Sequence, residues 1–89
     1  MKIELKPLKF NTKPTLLSQI HKCEEEDKEF LIALVRRDVD NAIEEFHDKV
    51  TSSLNALKLL GISVETIVNG QEDHFKKLIE RGWNFNEDA

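Results

Sequence analysis

The sequence predicts an all-α fold of antiparallel helices, and three observations lead to this prediction. Apolar residues recur at intervals of three or four through most of the chain beyond residue 14, which is the period of an amphipathic helix. Residues that start or stop helices stand at the ends of these stretches, with Asp38 and Ser63 as starts and Gly61 and Gly82 as stops. The intervening connections are short, and short connections join antiparallel neighbours.

The first segment, residues 1–13, is predicted to be an extended arm or a short edge strand. Its apolar residues alternate with charged ones, but Pro7 and Pro14 interrupt the pattern. Proline cannot donate a backbone hydrogen bond, so it is confined to edge strands and irregular segments.

The first helix is expected to start from about Thr12, with a threonine or asparagine cap and Pro14 in its first turn, and to end near Asp38. Its predicted apolar stripe consists of Leu16, Ile20, Cys23, Phe30 and Leu34. Asp27 falls at the centre of that stripe. We therefore expect Asp27 to lie at a wet interface, to lie near a metal ion, or to weaken the helix contact.

The second helix is expected to begin at a cap supplied by Asp38 or Asp40 and to end at Gly61 in a left-handed conformation. Its apolar residues are Ile43, Phe46, Val50, Leu54 and Leu57.

The third helix is expected to run from a Ser63 cap to Gly82, with Gly70 costing about 1 kcal/mol relative to alanine in its interior. One face carries Val64, Ile67, Val68, Phe75, Leu78 and Ile79. The helical domain therefore spans 14–83, and residues 84–89 form a polar tail.

Composition limits the size of the core and the kinds of partner. A chain of 89 residues forms at most one domain, and a domain this small buries little surface by itself. The apolar stripes are also narrow, so we expect a homodimer or homotetramer to complete the helical bundle.

The net charge of −4 argues against nucleic acid or an anionic membrane as the principal partner, because both attract an excess of lysine and arginine. Cys23 is the single cysteine, which excludes an internal disulfide and favours the reducing cytoplasm. The sequence has no apolar run long enough for a signal peptide or a membrane span.

Two pairs of acidic residues are candidates for a metal site. Glu26 and Glu29 are three apart on the first helix, and Glu45 and Asp48 are three apart on the second, so each pair shares one helix face. Two such pairs on packed helices would supply the oxygen ligands that Mg²⁺ prefers. The alternative is a solvated acidic face, which is the usual state of charged residues on a surface helix.

A row of cations lies on the third helix. His74, Lys77 and Arg81 fall on one side of it, and such a row can receive a polyphosphate. The alternative is that Lys77 and Arg81 only stabilise the negative end of the helix dipole.

With these motifs the chain resembles the MazG-like, all-α nucleoside triphosphate pyrophosphohydrolases. Their signature is EExxE followed by ExxD, and here Glu25, Glu26 and Glu29 are followed after fifteen residues by Glu45 and Asp48. The segment 54–62, which ends in Leu-Gly-Ile, and the segment 74–83, which ends in Arg-Gly-Trp, are similar to further parts of small family members. The resemblance covers roughly residues 16–83.

The resemblance implies a Mg²⁺-dependent enzyme that cleaves a nucleoside triphosphate to the monophosphate and pyrophosphate. It implies that Glu26, Glu29, Glu45 and Asp48 bind the metal and that Glu25 is a further ligand or orients the attacking water. Lys77 and Arg81 would neutralise the phosphate chain. The rival hypothesis is a non-catalytic, all-α homo-oligomeric interaction module whose acidic residues only keep it in solution.

Overall fold

The computed structural model describes residues 3–86, and these residues form four helices and no strand. The helices are α1 (Leu16–Val35), α2 (Val39–Leu59), α3 (Val64–Asn69) and α4 (Gln71–Glu80). The predicted all-α class is confirmed. The predicted arm and tail extend to residues 1–2 and 87–89, which lie outside the described residues.

Side-chain caps set where the two long helices begin. The Thr15 hydroxyl accepts a hydrogen bond from the Ser18 N–H at 3.0 Å, so α1 begins at Leu16 and Pro14 precedes the helix. The expected start near Thr12 is therefore wrong. For α2 the Asp38 carboxylate accepts from the Asn41 N–H at 3.3 Å, which selects Asp38 over Asp40 as the cap.

Glycines mark the ends of the other segments. Gly61 has φ 78° and ends α2 in the left-handed conformation, as predicted. The predicted third helix is divided at Gly70 into α3, capped by Ser63, and α4. Gly70 is both the C-cap of α3 and the N-cap of α4. Its backbone angles are right-handed and helical, so the break is confined to this one residue, whose missing side chain weakens a helix interior.

The principal tertiary contact is the antiparallel packing of α1 on α2. Gln19 near the start of α1 contacts Ser52 in the second half of α2, and Phe30 further along α1 contacts Phe46 nearer the start of α2. The residues of α1 that are buried or half-buried share one seam: Gln19, Cys23, Glu26, Phe30 and Ala33. The predicted stripe is wrong in part, because its members Leu16, Ile20 and Leu34 are exposed.

The interior of this two-helix unit is largely polar. Among the described residues only Ala33 and Leu54 are buried apolar side chains. The buried polar residues are Gln19, Glu26, Ser52 and Asn55. The Gln19 amide donates a 2.9 Å hydrogen bond to the Ser52 carbonyl. Hydrogen bonding of this kind offsets the cost of taking polar groups out of water.

The N-terminal arm is held on α2 through Leu8. The Leu8 N–H donates to the Asn55 side-chain oxygen at 2.9 Å, and the Lys58 ammonium group donates to the Leu8 carbonyl at 2.7 Å. Lys58 also lies over the Phe10 ring, 4.4 Å from its centroid. The arm therefore uses the backbone groups of one residue as its attachment.

The chain exposes more surface than a folded monomer of its mass. Its accessible surface is 7742 Å², whereas a monomeric protein of 10.3 kDa has roughly 5,400 Å². The radius of gyration is 15.1 Å, against about 12 Å for a compact domain of this length. No helix within residues 3–86 is long and apolar enough to cross a membrane.

The connection between α1 and α2 provides a test of this local geometry. Arg37 has φ 54°, a left-handed conformation that costs a side-chain-bearing residue roughly 1 kcal/mol relative to glycine. Arg37→Gly should therefore raise the free energy of unfolding by about 0.5–1 kcal/mol in urea titrations. Arg36→Gly, at a right-handed position, is the matched control and should lower it. A loss of stability in both variants would contradict the expectation.

Candidate metal centre

Three glutamates converge between α1 and α2. Carboxylate oxygens of Glu26, Glu29 and Glu45 all lie within 4.8 Å of one another. Glu26 and Glu29 share one side of α1 because they are three residues apart, and the antiparallel contact places Glu45 of α2 opposite them. Glu26 is buried, Glu45 is half-buried and Glu29 is exposed, so the glutamate group opens to solvent on the Glu29 side.

Two oxygens of this glutamate group are buried without a hydrogen-bond partner among the described residues. They are the Oε2 atoms of Glu26 and Glu45. A buried carboxylate oxygen without a donor loses the hydration it had in the unfolded chain, which costs free energy. A cation bound between the carboxylates would restore the missing interaction. The solvated acidic face considered above does not describe Glu26, whose side chain is 7% exposed.

The surroundings of Glu45 favour its protonated form. Burial raises the pKa of the Glu45 carboxyl group above its ordinary value, and hydrogen bonding and negative charge from Glu29 raise it further. The charges of Asp48 and Glu26 act in the same direction. The negative charges of the neighbouring carboxylates are therefore not fully neutralised around Glu45.

Lys22 is a neighbour of the site that the sequence analysis missed. Its ammonium group lies 2.9 Å from Glu26 Oε1 and 3.9 Å from Glu25 Oε2. The hydrogen bond to Glu26 raises the pKa of Lys22, partial burial opposes the shift, and the charges of nearby glutamates add to it. Lys22 lies four residues before Glu26, and this helical spacing was the available signal.

The other two predicted acidic residues lie at the edge of the glutamate group. Glu25 is exposed and contacts Lys22. Asp48 is half-buried and close enough for its charge to raise the pKa of Glu45, but it is not among the three converging carboxylates.

Asp27 forms an ion pair between the two long helices. One of its carboxylate oxygens lies 3.5 Å from the Lys49 ammonium group, and its side chain is 59% exposed. Lys49 also lies over the Phe30 ring, 4.7 Å from the centroid. Of the three expectations for Asp27, the wet interface is the one that the structure supports.

The predicted phosphate-binding cations lie on another part of the fold. Lys77 is in the last turn of α4 and Arg81 is its C-cap, and both are exposed. Among the described residues no ion pair or hydrogen bond joins either side chain to the three glutamates. Their position fits the dipole alternative and leaves both groups accessible to an anion.

Comparison with known proteins assigns no family to the chain, so its function is inferred from the residues of the site. The chain matches no protein-family model, no curated protein and no solved structure. The resemblance to the MazG-like enzymes therefore stays a prediction from the acidic motifs and their flanking segments.

The raised pKa of Glu45 gives a pH-dependent test in the absence of metal. A carboxyl group with a raised pKa in the folded state destabilises the fold when ionised, and this penalty disappears as pH falls through the folded pKa toward the ordinary value of 4.5. Glu45→Gln should therefore increase stability at pH 7 in EDTA, and its advantage should shrink as pH is lowered. Urea unfolding across a pH series measures this difference.

Glu44→Gln is the matched control, since Glu44 is the exposed neighbour on the same helix and should show no such trend. An advantage of Glu45→Gln that grows toward low pH would overturn the electrostatic account.

Proposed function

We propose that this protein is a Mg²⁺-dependent nucleotide pyrophosphohydrolase that converts a ribo- or deoxyribonucleoside triphosphate to the monophosphate and pyrophosphate. The observation that carries the proposal is the convergence of three carboxylates from two helices, where two buried oxygens have no hydrogen-bond partner among the described residues. The order of the acidic motifs, which resembles the EExxE and ExxD pattern, supports the same reaction.

The donor set fits a hard divalent cation. All the available ligand atoms are carboxylate oxygens, which Mg²⁺ prefers over nitrogen or sulfur donors. Glu26, Glu29 and Glu45 would hold the ion, with Asp48 as a further ligand from the edge of the glutamate group. A bound divalent ion neutralises phosphate charge and makes a coordinated water more acidic.

The remaining residues would position water and substrate. Glu25 is exposed beside the glutamate group, where its carboxylate could accept a proton from the attacking water. Water would form a bond to one of the two phosphorus atoms that share the α–β bridging oxygen, the bond from that phosphorus to the bridging oxygen would break, and the products would be the monophosphate and pyrophosphate. Lys77 and Arg81 are accessible cations that would neutralise the phosphate chain.

The proposal includes a homodimer or homotetramer in the cytoplasm. The large accessible surface and the small apolar interior support self-association. A single cysteine with no disulfide partner suits a reducing compartment.

The second candidate function is a non-catalytic homo-oligomeric interaction module. The observation that favours it is the exposure of large apolar side chains along both long helices, including Leu17, Val35 and Val39. In this alternative the glutamates form a polar seam of the bundle and catalyse no reaction.

Hydrolysis of a nucleotide panel decides between these functions. With Mg²⁺ and each common nucleoside triphosphate, the enzyme should release monophosphate and pyrophosphate in equal amounts. Glu45→Gln and Asp48→Asn should each lower kcat/KM by about two orders of magnitude or more, because each removes a charge from the proposed metal site. Glu44→Gln should keep wild-type activity. Absence of pyrophosphate release with every nucleotide would favour the interaction module.

Lys22 gives a test of metal binding that does not depend on turnover. Lys22→Gln removes the ammonium group that faces Glu26, so without metal the protein should lose about 1–2 kcal/mol of stability, between the values for exposed and buried ion pairs. Millimolar Mg²⁺ should then raise its melting temperature more than that of the wild type, because the emptied site gains more from a cation.

Lys76→Gln, which removes an exposed lysine of α4, is the control and should match the wild-type metal response. An equal Mg²⁺ shift in Lys22→Gln and wild type would contradict a metal site at Glu26.

A further inference from the structure

The face of α1 that points away from α2 is a stripe that is exposed in the structure of residues 3–86. Glu24, Lys28, Leu31 and Val35 lie together on it. Leu17 continues the same face toward the start of the helix, and Leu17 and Val35 are 64% and 76% exposed. The positions of Leu17, Glu24, Lys28, Leu31 and Val35 fit spacings of three, four and seven, which keep residues on one seam of a helix that packs against another helix.

The stripe is self-complementary about its midpoint at position 26. Residues equally far from that position include Leu17 with Val35, Glu24 with Lys28 and the flanking Ile20 with Ile32, whereas Leu31 falls opposite the exposed His21. In a two-fold symmetric, antiparallel pair of α1 helices, each residue lies opposite its counterpart from the second copy. Apolar residues would then meet at both ends, and two Glu24–Lys28 ion pairs would form near the centre.

The two central charges are available for such a contact. The Glu24 side chain is 71% exposed, and one of its oxygens lies 4.0 Å from the His21 ring. Among the described residues no ion pair is formed by Lys28. A parallel pairing would instead place Glu24 against Glu24 and Lys28 against Lys28, and juxtaposed like charges disfavour association.

The amount of exposed surface is sufficient for a second copy of the chain to bind on this face of α1. The chain has about 2,300 Å² more accessible surface than a monomer of its mass, and a standard interface covers about 800 Å² per partner. One helix-to-helix contact therefore uses part of the excess and leaves room for a second interface.

We propose that a second copy of this chain docks antiparallel on the outward face of α1, with Glu24 of each copy paired to Lys28 of the other. The contact specifies the partner face for the assembly proposed above. It lies on the side of α1 opposite α2, away from the glutamate group, and it holds whether or not the protein is an enzyme.

Charge exchange on the full-length protein tests the proposal. Glu24→Lys and Lys28→Glu each place like charges opposite one another at both symmetric positions, so each should weaken dimerisation by about tenfold or more in sedimentation equilibrium. The double variant Glu24→Lys/Lys28→Glu restores opposite charges and should recover the wild-type dissociation constant to within about threefold. Circular dichroism verifies that all three variants keep their helices.

Ile43→Glu controls for a dimer built on the other long helix, because Ile43 is an exposed apolar residue of α2. It should leave the dimer formed through α1 intact. A monomeric wild type at micromolar concentration, single reversals without effect, a double variant as weak as the singles, or dissociation by Ile43→Glu alone would each overturn the proposal. A dimer that behaves as expected but hydrolyses no nucleotide would count against the proposed function and leave this interface standing.

Discussion

The antiparallel contact between α1 and α2 is the constraint on which the rest of the structure depends. Ala33 is fully buried at one end of the contact, where its small side chain lets the helices approach closely, and Gln19 bonds Ser52 near the other end. These contacts fix the register of the two helices. That register brings Glu45 against Glu26 and Glu29, so the candidate site is a consequence of how two helices meet.

The same contact buries little apolar surface, which is the physical basis of the proposed self-association. Glutamine, glutamate, serine and asparagine occupy buried positions that a stable small domain would fill with leucine or isoleucine. Hydrogen bonds offset part of that cost but add little net stability. The apolar surface that remains uncovered lies on the outside of the helix pair, where a second copy can bury it. The proposed assembly and the polar interior would both follow from the same distribution of residues.

The sequence was sufficient to predict features that depend on local chemistry. The all-α class, a cap at Asp38 or Asp40, the Ser63 cap and the Gly61 terminator follow from residues close in sequence, and the structure contains these features with Asp38 as the cap of α2. The buried face of α1 could not be predicted, because it is chosen by tertiary contact and includes Gln19 and Glu26, which hydrophobicity assigns to solvent.

The acidic motifs located Glu26, Glu29 and Glu45, although they did not reveal how far each would be buried. The role of Lys22 could not be predicted, because a lysine outside the acidic motif is not distinguished from other surface lysines until its partner Glu26 is known to be buried. Its ammonium group nevertheless gives the site a property of its own, since Glu26 presents one oxygen to Lys22 while the other has no hydrogen-bond partner within residues 3–86. The Lys22 ammonium group is a single positive charge that the chain holds beside Glu26 at constant effective concentration. Na⁺ or K⁺ from solution would add little to the charge neutralisation that Lys22 already supplies. An ion of higher charge would gain more by entering, so the proposed site is expected to discriminate by valence.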